Sequence, residues 1–219
     1  MDLLEIIGPV MVGPSSSHTA GAVRLGLLAR TAAGFAPVRA LIDLHGSFAE
    51  TGKGHGTDRA LVVGLLGWRP ENAPLRDAAR LAAEANLHVT FHTADLGMVH
   101  PNTVRLHLEG SDGQRAEIQG SSVGGGAVVV TQFNGWSVEL AGQYETLLLA
   151  YQDRPGMISR ITGEVAASGL NIATMRVARR ARGGQALTTL ELDEPPTSDL
   201  LQKLSSIPDL FWARHIGRL

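Results

Sequence analysis

From Glu145 onward the sequence follows a rhythm that few folds accept. Residues 146–151 form an apolar strand, and Asp153-Arg154-Pro155-Gly156 makes a turn with its proline placed to open a helix. Met157, Ile158, Ile161, Val165 and Ala166 recur at the spacing of an amphipathic helix, which Gly169 ends. Residues 171–178 and 186–192 read as strands joined around Gly183-Gly184. Leu200, Leu201, Leu204 and Ile207 mark a second helix after Pro196, and residues 210–216 a last strand. The order β-α-β-β-α-β within about 75 residues is the split, ferredoxin-like pattern. The domain boundary falls at residues 141–143, so the chain is divided into 1–143 and 144–219.

The first part has a different texture. After Pro14, residues 20–33 are rich in Ala and Leu and nearly free of charge, a buried helix that starts near Ser17 to Thr19, where a hydroxyl can cap free N–H groups. Residues 38–45 read as a strand broken by Gly46. Helices are expected from Thr57 or Asp58 toward Leu66 and over residues 75–85. Extended pieces follow at 88–92, 103–108, 115–119, 127–133 and 136–140. This mixture predicts an α+β domain with a mostly antiparallel sheet.

Composition removes several function classes. The 219 residues, 44% hydrophobic and 18% charged, are those of an ordinary globular protein. A net charge of −2 gives no electrostatic support for binding nucleic acid or a membrane surface, and 5% aromatic residues leave little for base stacking. No apolar run approaches the roughly 20 residues of a membrane helix, and Met1-Asp2-Leu3-Leu4-Glu5 is acidic where a secretory signal is basic, so the expected location is the cytoplasm. The chain has no cysteine, and therefore contributes no disulfide, thiolate nucleophile or Cys-ligated metal.

Three candidates for chemistry stand out, the third made of two short runs. Gly13-Pro14-Ser15-Ser16-Ser17-His18-Thr19 precedes a predicted helix, where it either caps the helix or receives a carboxylate or phosphate. His45-Gly46-Ser47-Phe48-Ala49-Glu50-Thr51-Gly52-Lys53-Gly54-His55-Gly56-Thr57-Asp58 reads as a loop between a strand and a helix, with more polar groups than a turn needs. It lacks the glycine spacing and the Ser or Thr of a P-loop. His100-Pro101-Asn102-Thr103 and Ser121-Ser122-Val123-Gly124-Gly125-Gly126 are either turns or places of close backbone approach. His18, His45 and His55 could in number supply a zinc site, but no helical His-x-x-x-His spacing supports one, and the Gly-x-Ser-x-Gly elbow of a hydrolase is absent. His88, His92, His107 and His215 fall on predicted strands as structural residues, and Arg176, Arg179, Arg180 and Arg182 form a solvated basic stripe.

The runs GPSSSHTAGAVRLG, LHGSFAETGKGHGTDRALVVGLLG, HPNT and SSVGGG, in that order between Gly8 and Ala127, resemble the beta subunit of bacterial iron–sulfur-dependent L-serine dehydratases. Residues 146–214, with DRPG and GLNI, resemble an ACT domain. The resemblance implies an N-terminal domain of the allosteric-substrate-binding type, followed by the βαββαβ unit. It also implies a separate, cysteine-bearing alpha subunit that holds a 4Fe–4S cluster, with L-serine as substrate and no metal on this chain.

Carried onto these residues, the resemblance makes His18, His45 and His55 candidates for proton handling or substrate positioning. Ser15, Ser16, Ser17 and Thr19 would face the substrate carboxylate or the partner's cluster. Thr51, Lys53, Thr57, Asp58, Asn102, Gly124 and Gly125 would complete the substrate site. The ACT-like unit is expected to pair with a second copy and to bind an amino acid around Gly156, Met157, Ile158 and Asn171; dimerisation alone is the competing role. A stand-alone amino-acid or anion sensor is the rival reading for the whole chain. A fragment related to phosphoglycerate dehydrogenase is disfavoured, because no Gly-x-Gly-x-x-Gly follows a strand.

Overall fold

The computed structural model describes residues 15–219. The chain divides into two compact units, residues 1–141 and 142–219. Among the described residues, no helix is long and apolar enough to cross a membrane.

The first unit is built on a six-stranded sheet of β1 (Pro37–Leu44), β2 (His88–Thr93), β3 (Thr103–Gly110), β4 (Arg115–Gly124), β5 (Ala127–Phe133) and β6 (Trp136–Leu140), in the order β2-β1-β3-β4-β5-β6. Only β1 and β2 run parallel; every other pairing is antiparallel, as the short extended pieces predicted. Register lines up Ile42, Leu106, Ile118 and Phe133 across four strands, all fully buried. The next row, Leu41, His107 and Glu117, points to the opposite, more polar face, as the two-residue period of a strand requires. There His107 lies between Asp43 and Glu117, 3.3 Å from each.

Four α-helices accompany the sheet: α1 (Ala22–Ala33), α2 (Gly46–His55), α3 (Thr57–Leu65) and α4 (Ala78–Glu84). Helices α1 and α3 meet backbone to backbone. A Cβ on Gly26 would lie 2.5 Å from the Leu61 carbonyl oxygen, and one on Gly64 would lie 2.2 Å from that of Val23. Glycine at both positions is therefore a packing requirement that outweighs its poor helix propensity.

Two local expectations need correction. Residues 45–58 are not a loop, because residues 46–55 form helix α2. Phe48, fully buried, anchors this helix, extended His45 precedes it, and Gly56 in the left-handed region (φ 74°) terminates it. The start of α1 also differs. A π-helical turn, Ser17–Gly21, runs directly into α1, and Ser16 is already helical with no side-chain cap. Ser15 Oγ instead accepts a long hydrogen bond from the His18 N–H (3.4 Å).

The second unit is a four-stranded antiparallel sheet, order β10-β7-β9-β8, from β7 (Glu145–Gln152), β8 (Ile172–Arg179), β9 (Gln185–Leu192) and β10 (Leu210–Ile216). Helices α5 (Met157–Ala167) and α6 (Ser198–Ser205) complete the β-α-β-β-α-β order. Leu147, Leu149, Met157, Ile161, Val165, Leu190 and Leu204 share its core. Inside that core the Tyr151 hydroxyl lies 2.8 Å from the Thr188 hydroxyl. Thr197 caps α6 by accepting from the Leu200 N–H.

Candidate active site

The π-turn places His18 where three segments converge. Its ring is buried, 7% exposed, with its edge toward Phe48 of α2 (centroids 5.1 Å apart) and tilted against His55 (4.8 Å). Ser15 Oγ lies 3.1 Å from Nδ1, while Thr51 Oγ1 at 3.0 Å and Ser47 Oγ at 3.3 Å face Nε2. The Thr51 hydroxyl donates to the Ser47 carbonyl (2.9 Å), so it accepts from His18 Nε2–H. In the neutral imidazole that burial favours, Nδ1 is then the acceptor for the Ser15 hydroxyl and both nitrogens are engaged. Electrostatics agree. Burial holds the His18 pKa below the usual imidazole value and the neighbouring His55 lowers it further, against an opposing hydrogen bond with Ser47.

Helix α2 explains why these side chains meet. Ser47, Thr51 and His55 are spaced by four and share one helical face. Ser47 and Phe48 were not candidates in the sequence reading. The four-residue spacing from Ser47 through Thr51 to His55 is the sequence signal for Ser47, and it does not single out Phe48.

The other short runs close around the same turn. A Cβ on Gly21 would fall 2.1 Å from Ser122 Oγ, so the π-turn rests on β4. Ser122 N–H donates to the Asn102 carbonyl (3.0 Å), and Arg24 donates to the Gly126 carbonyl (2.7 Å). Thr19 Oγ1, His55 Nδ1, Thr57 Oγ1 and Asn102 Oδ1 are all buried with no hydrogen-bond partner. Buried polar atoms are almost always satisfied, so four orphans on elements around one turn make it the candidate site of the first unit.

Several expected site residues lie elsewhere. His45 turns toward the 94–96 segment, where its Nδ1 accepts from the Leu96 N–H (3.2 Å) and lies 3.8 Å from Asp95. Lys53 and Asp58 line a 170 Å³ cavity bordered by Phe48 and Phe91, to which Ser15, His18, Ser47, Thr51 and His55 do not contribute. Gly124 and Gly125 sit in the exposed β4–β5 turn with nothing within 4 Å of an added Cβ. Ser16 and Ser17 are half-buried in the run into the π-turn.

In the second unit, Gly156 (φ 88°) precedes α5, and the Met157 side chain is buried in the core with its N–H on the Arg154 carbonyl (3.3 Å). Met157 is thus occupied by packing rather than presented to an effector. Ile158 packs half-buried against that core, and Asn171 donates to Asp193 (2.8 Å).

The residues present do not fit an iron–sulfur cluster bound by this chain alone. It has no cysteine, and no group of three His, Asp or Glu among the described residues is arranged to hold a metal.

The first unit carries a buried imidazole held by hydroxyls, and the second is a βαββαβ unit of the ferredoxin-like order. The family comparisons agree: residues 2–88 match the serine dehydratase beta chain model, and residues 146–209 match the ACT domain. The chain is 38% identical to the probable L-serine dehydratase beta chain of Bacillus subtilis, covering 98% of this chain and 97% of that one. It is 37% identical to the L-serine dehydratase beta chain of Peptoniphilus asaccharolyticus, covering 97% and 96%. Against L-serine dehydratase TdcG of Escherichia coli identity is 31%, over 61% of this chain and only 35% of that longer protein. The chain belongs to the serine dehydratase beta chain family and carries an ACT domain.

Proposed function

We propose that this chain is the beta subunit of a cytoplasmic L-serine dehydratase, which converts L-serine to pyruvate and ammonia together with a cysteine-bearing alpha subunit. The observation that carries the reading is the near-complete, 38% identical match to a beta chain, combined with unsatisfied polar atoms around His18. The need for a partner is supported by TdcG, in which the matched region is 35% of the length and the rest is additional sequence.

In this reading a 4Fe–4S cluster resides on the alpha subunit and supplies a Lewis acid for the departing hydroxide. Loss of the α-proton and of water leaves an enamine, whose hydrolysis releases ammonia and pyruvate. This chain's share is positioning. His18, hydrogen-bonded at both nitrogens, fixes Ser15, Ser47 and Thr51 in one polar cluster. His55, whose buried Nδ1 has no hydrogen-bond partner among the described residues, is the imidazole this reading assigns to proton handling. Thr19, Thr57 and Asn102 offer unsatisfied oxygens to the substrate's ammonium or hydroxyl. The ACT unit is proposed to pair with a second copy and to bind an amino acid near Gly156, Ile158 and Asn171.

The test is co-expression with the alpha subunit and anaerobic assay of pyruvate from L-serine. His18→Ala and His55→Ala are each expected to abolish turnover without unfolding the chain. Unchanged turnover in both removes them from the mechanism. Calorimetry that detects no serine binding to the chain at millimolar concentration assigns the ACT unit to dimerisation alone.

A further inference from the structure

The six-stranded sheet ends on β2, and that edge is open. Strand β2 pairs only with β1, and among the described residues no backbone hydrogen bond reaches its outer side. Edges of this kind are normally blunted by charge, proline or a bulge, because their unpaired N–H and C=O groups accept another strand. The β2 sequence His-Val-Thr-Phe-His-Thr has no Asp, Glu, Lys, Arg or Pro, and its register with β1 is unbroken. The opposite edge, β6, is shorter, carries Glu139 and meets β5 through an irregular register. Val89 and Phe91 pair with buried Ala40 and Ile42 and so point to the helix side, while His88, Thr90 and His92 share the open face with Arg39 and Asp43. On the helix side a 490 Å³ groove borders the edge. Apolar residues of α3, α4 and β2 line it, Val89 and Phe91 among them, with Asp58, Arg59, Asn86 and His88 as its polar lining.

We propose that β2 is an interface with a second copy of this chain, whose own β2 adds antiparallel and joins two six-stranded sheets into one of twelve strands. Centred on Thr90, the pairing sets Val89 opposite the partner's Phe91 and His88 opposite the partner's His92. A slip of one residue would turn the apolar side chains onto the polar face. A pairing centred on Phe91 keeps the faces but sets Val89 opposite the partner's Thr93, and loses the apolar match. Charge also favours a second copy. Arg39 stands beside His88 and Asp43 beside His92, so each outer row runs Arg39, His88, the partner's His92, the partner's Asp43. The cationic end of one edge thus meets the acidic end of the other, at both ends of the pair. Strand pairing over six residues is a small contact against the roughly 800 Å² per partner of a stable interface, and the groove beside it provides the additional apolar area. This interface belongs to the first unit and is independent of any pairing through the ACT fold.

The chain has no cysteine, so a single introduced one reports the contact. Opposed residues of an antiparallel pair have Cα atoms about 4.5–5.5 Å apart, within the range that a disulfide bridges. The full chain carrying Thr90→Cys is expected to form a covalent dimer under mild oxidation. Ser137→Cys, exposed on the β6 edge, should not, and neither should His92→Cys, which the register sets opposite the partner's His88. The double variant His88→Cys/His92→Cys should cross-link again. Sedimentation velocity reads the association without a disulfide: Thr90→Lys sets two like charges at the centre of the pair and should weaken self-association at least tenfold, whereas Thr90→Ser should leave it unchanged. Thr90 is exposed, and the cross-linking series carries the test should Thr90→Lys fail to fold. Thr90→Cys that cross-links no better than Ser137→Cys, His92→Cys that cross-links as well as Thr90→Cys, or self-association unmoved by a folded Thr90→Lys overturns the proposal. None of these readouts involves an alpha subunit or turnover, so the dehydratase reading stands or falls separately.

Discussion

Replacing Gly64 with alanine tests whether the glycine contact between α1 and α3 sets the geometry of the His18 site. The added Cβ would lie 2.2 Å from the Val23 carbonyl oxygen and 3.0 Å from Gly26 Cα and Leu27 N. All three are backbone atoms in a helix, so none can rotate away. Non-bonded heavy atoms settle near 3.5 Å, so the helices must part by roughly 1 Å. Overpacking of this kind costs about 1–3 kcal/mol, and the unyielding neighbour argues for the upper part of that range. Against it stands the helix-propensity gain of Gly→Ala, about 1 kcal/mol. The overpacking term wins, leaving a net loss of about 2 kcal/mol, or a Tm lower by roughly 6–8 °C for a unit of this size.

Gly54→Ala is the matched control. Gly54 lies inside α2 with nothing within 4 Å of the added Cβ, so only the propensity gain remains and the change stabilises by about 0.5–1 kcal/mol. Urea denaturation followed by circular dichroism, with hydrogen exchange to assign the transition to the first unit, measures both. The same separation has a functional consequence. Helix α1 continues from the turn bearing His18, and α3 begins just after His55, so parting them lengthens the 4.8 Å ring spacing. A displacement near 1 Å at a positioning group costs up to about a hundredfold in rate. A Gly64→Ala chain that melts at or above the wild-type temperature refutes the argument from close contact, and one that is destabilised yet fully active refutes its link to the site.

Other outcomes follow from individual contacts. Thr51→Val leaves His18 Nε2 the 3.3 Å contact with Ser47, and should cost about 1 kcal/mol in urea titration, the worth of one part-buried hydrogen bond. NMR titration of the imidazoles should place His18 below the ordinary value of about 6.5. Because burial, aided by His55, lowers its folded-state pKa, the associated stability is complete above the unfolded value and is lost as pH falls through the lowered one. Burial pushes the Glu145 pKa up, but hydrogen bonds from His215 and the Arg218 N–H outweigh it and hold it below the usual carboxylate value. Its contribution is therefore present above that usual value and is lost on acidification through the lowered one, a dependence that Glu145→Gln should remove from the second unit's pH–stability profile. Tyr151→Phe orphans the fully buried Thr188 hydroxyl and should cost about 1–3 kcal/mol, while Tyr151→Phe with Thr188→Val should recover most of it; a double-mutant cycle reads the coupling.

The two units were unequally legible in the sequence, for a physical reason. In the second, local signals and tertiary structure agree. The Met157–Ile161–Val165 stripe, the Gly156 turn and the Thr197 cap each specify locally what the sheet then buries. Around His18 they conflict. Gly46, Gly52 and Gly54 argue against a helix, yet α2 forms because Phe48 is buried and Gly52 must leave room for Thr57, whose Cβ lies 3.3 Å from the place a side chain would occupy. Propensity was overridden by packing, and reading those residues as a loop concealed the Ser47–Thr51–His55 face.

The same conflict separates the polar residues of that segment by role. A loop would have left His45, Thr51, Lys53, His55 and Asp58 free to converge on one ligand, whereas a helix distributes them by angle. Thr51 and His55 turn to His18, Lys53 turns to the cavity it shares with Asp58, and His45, just ahead of the first turn, is held by the 94–96 segment. Phe48 stands 5.1 Å from the His18 ring and is also among the residues that line the cavity. Gly46 and Gly52, which argue against a helix in the sequence, are also what let α2 approach Pro101 and Thr57 closely.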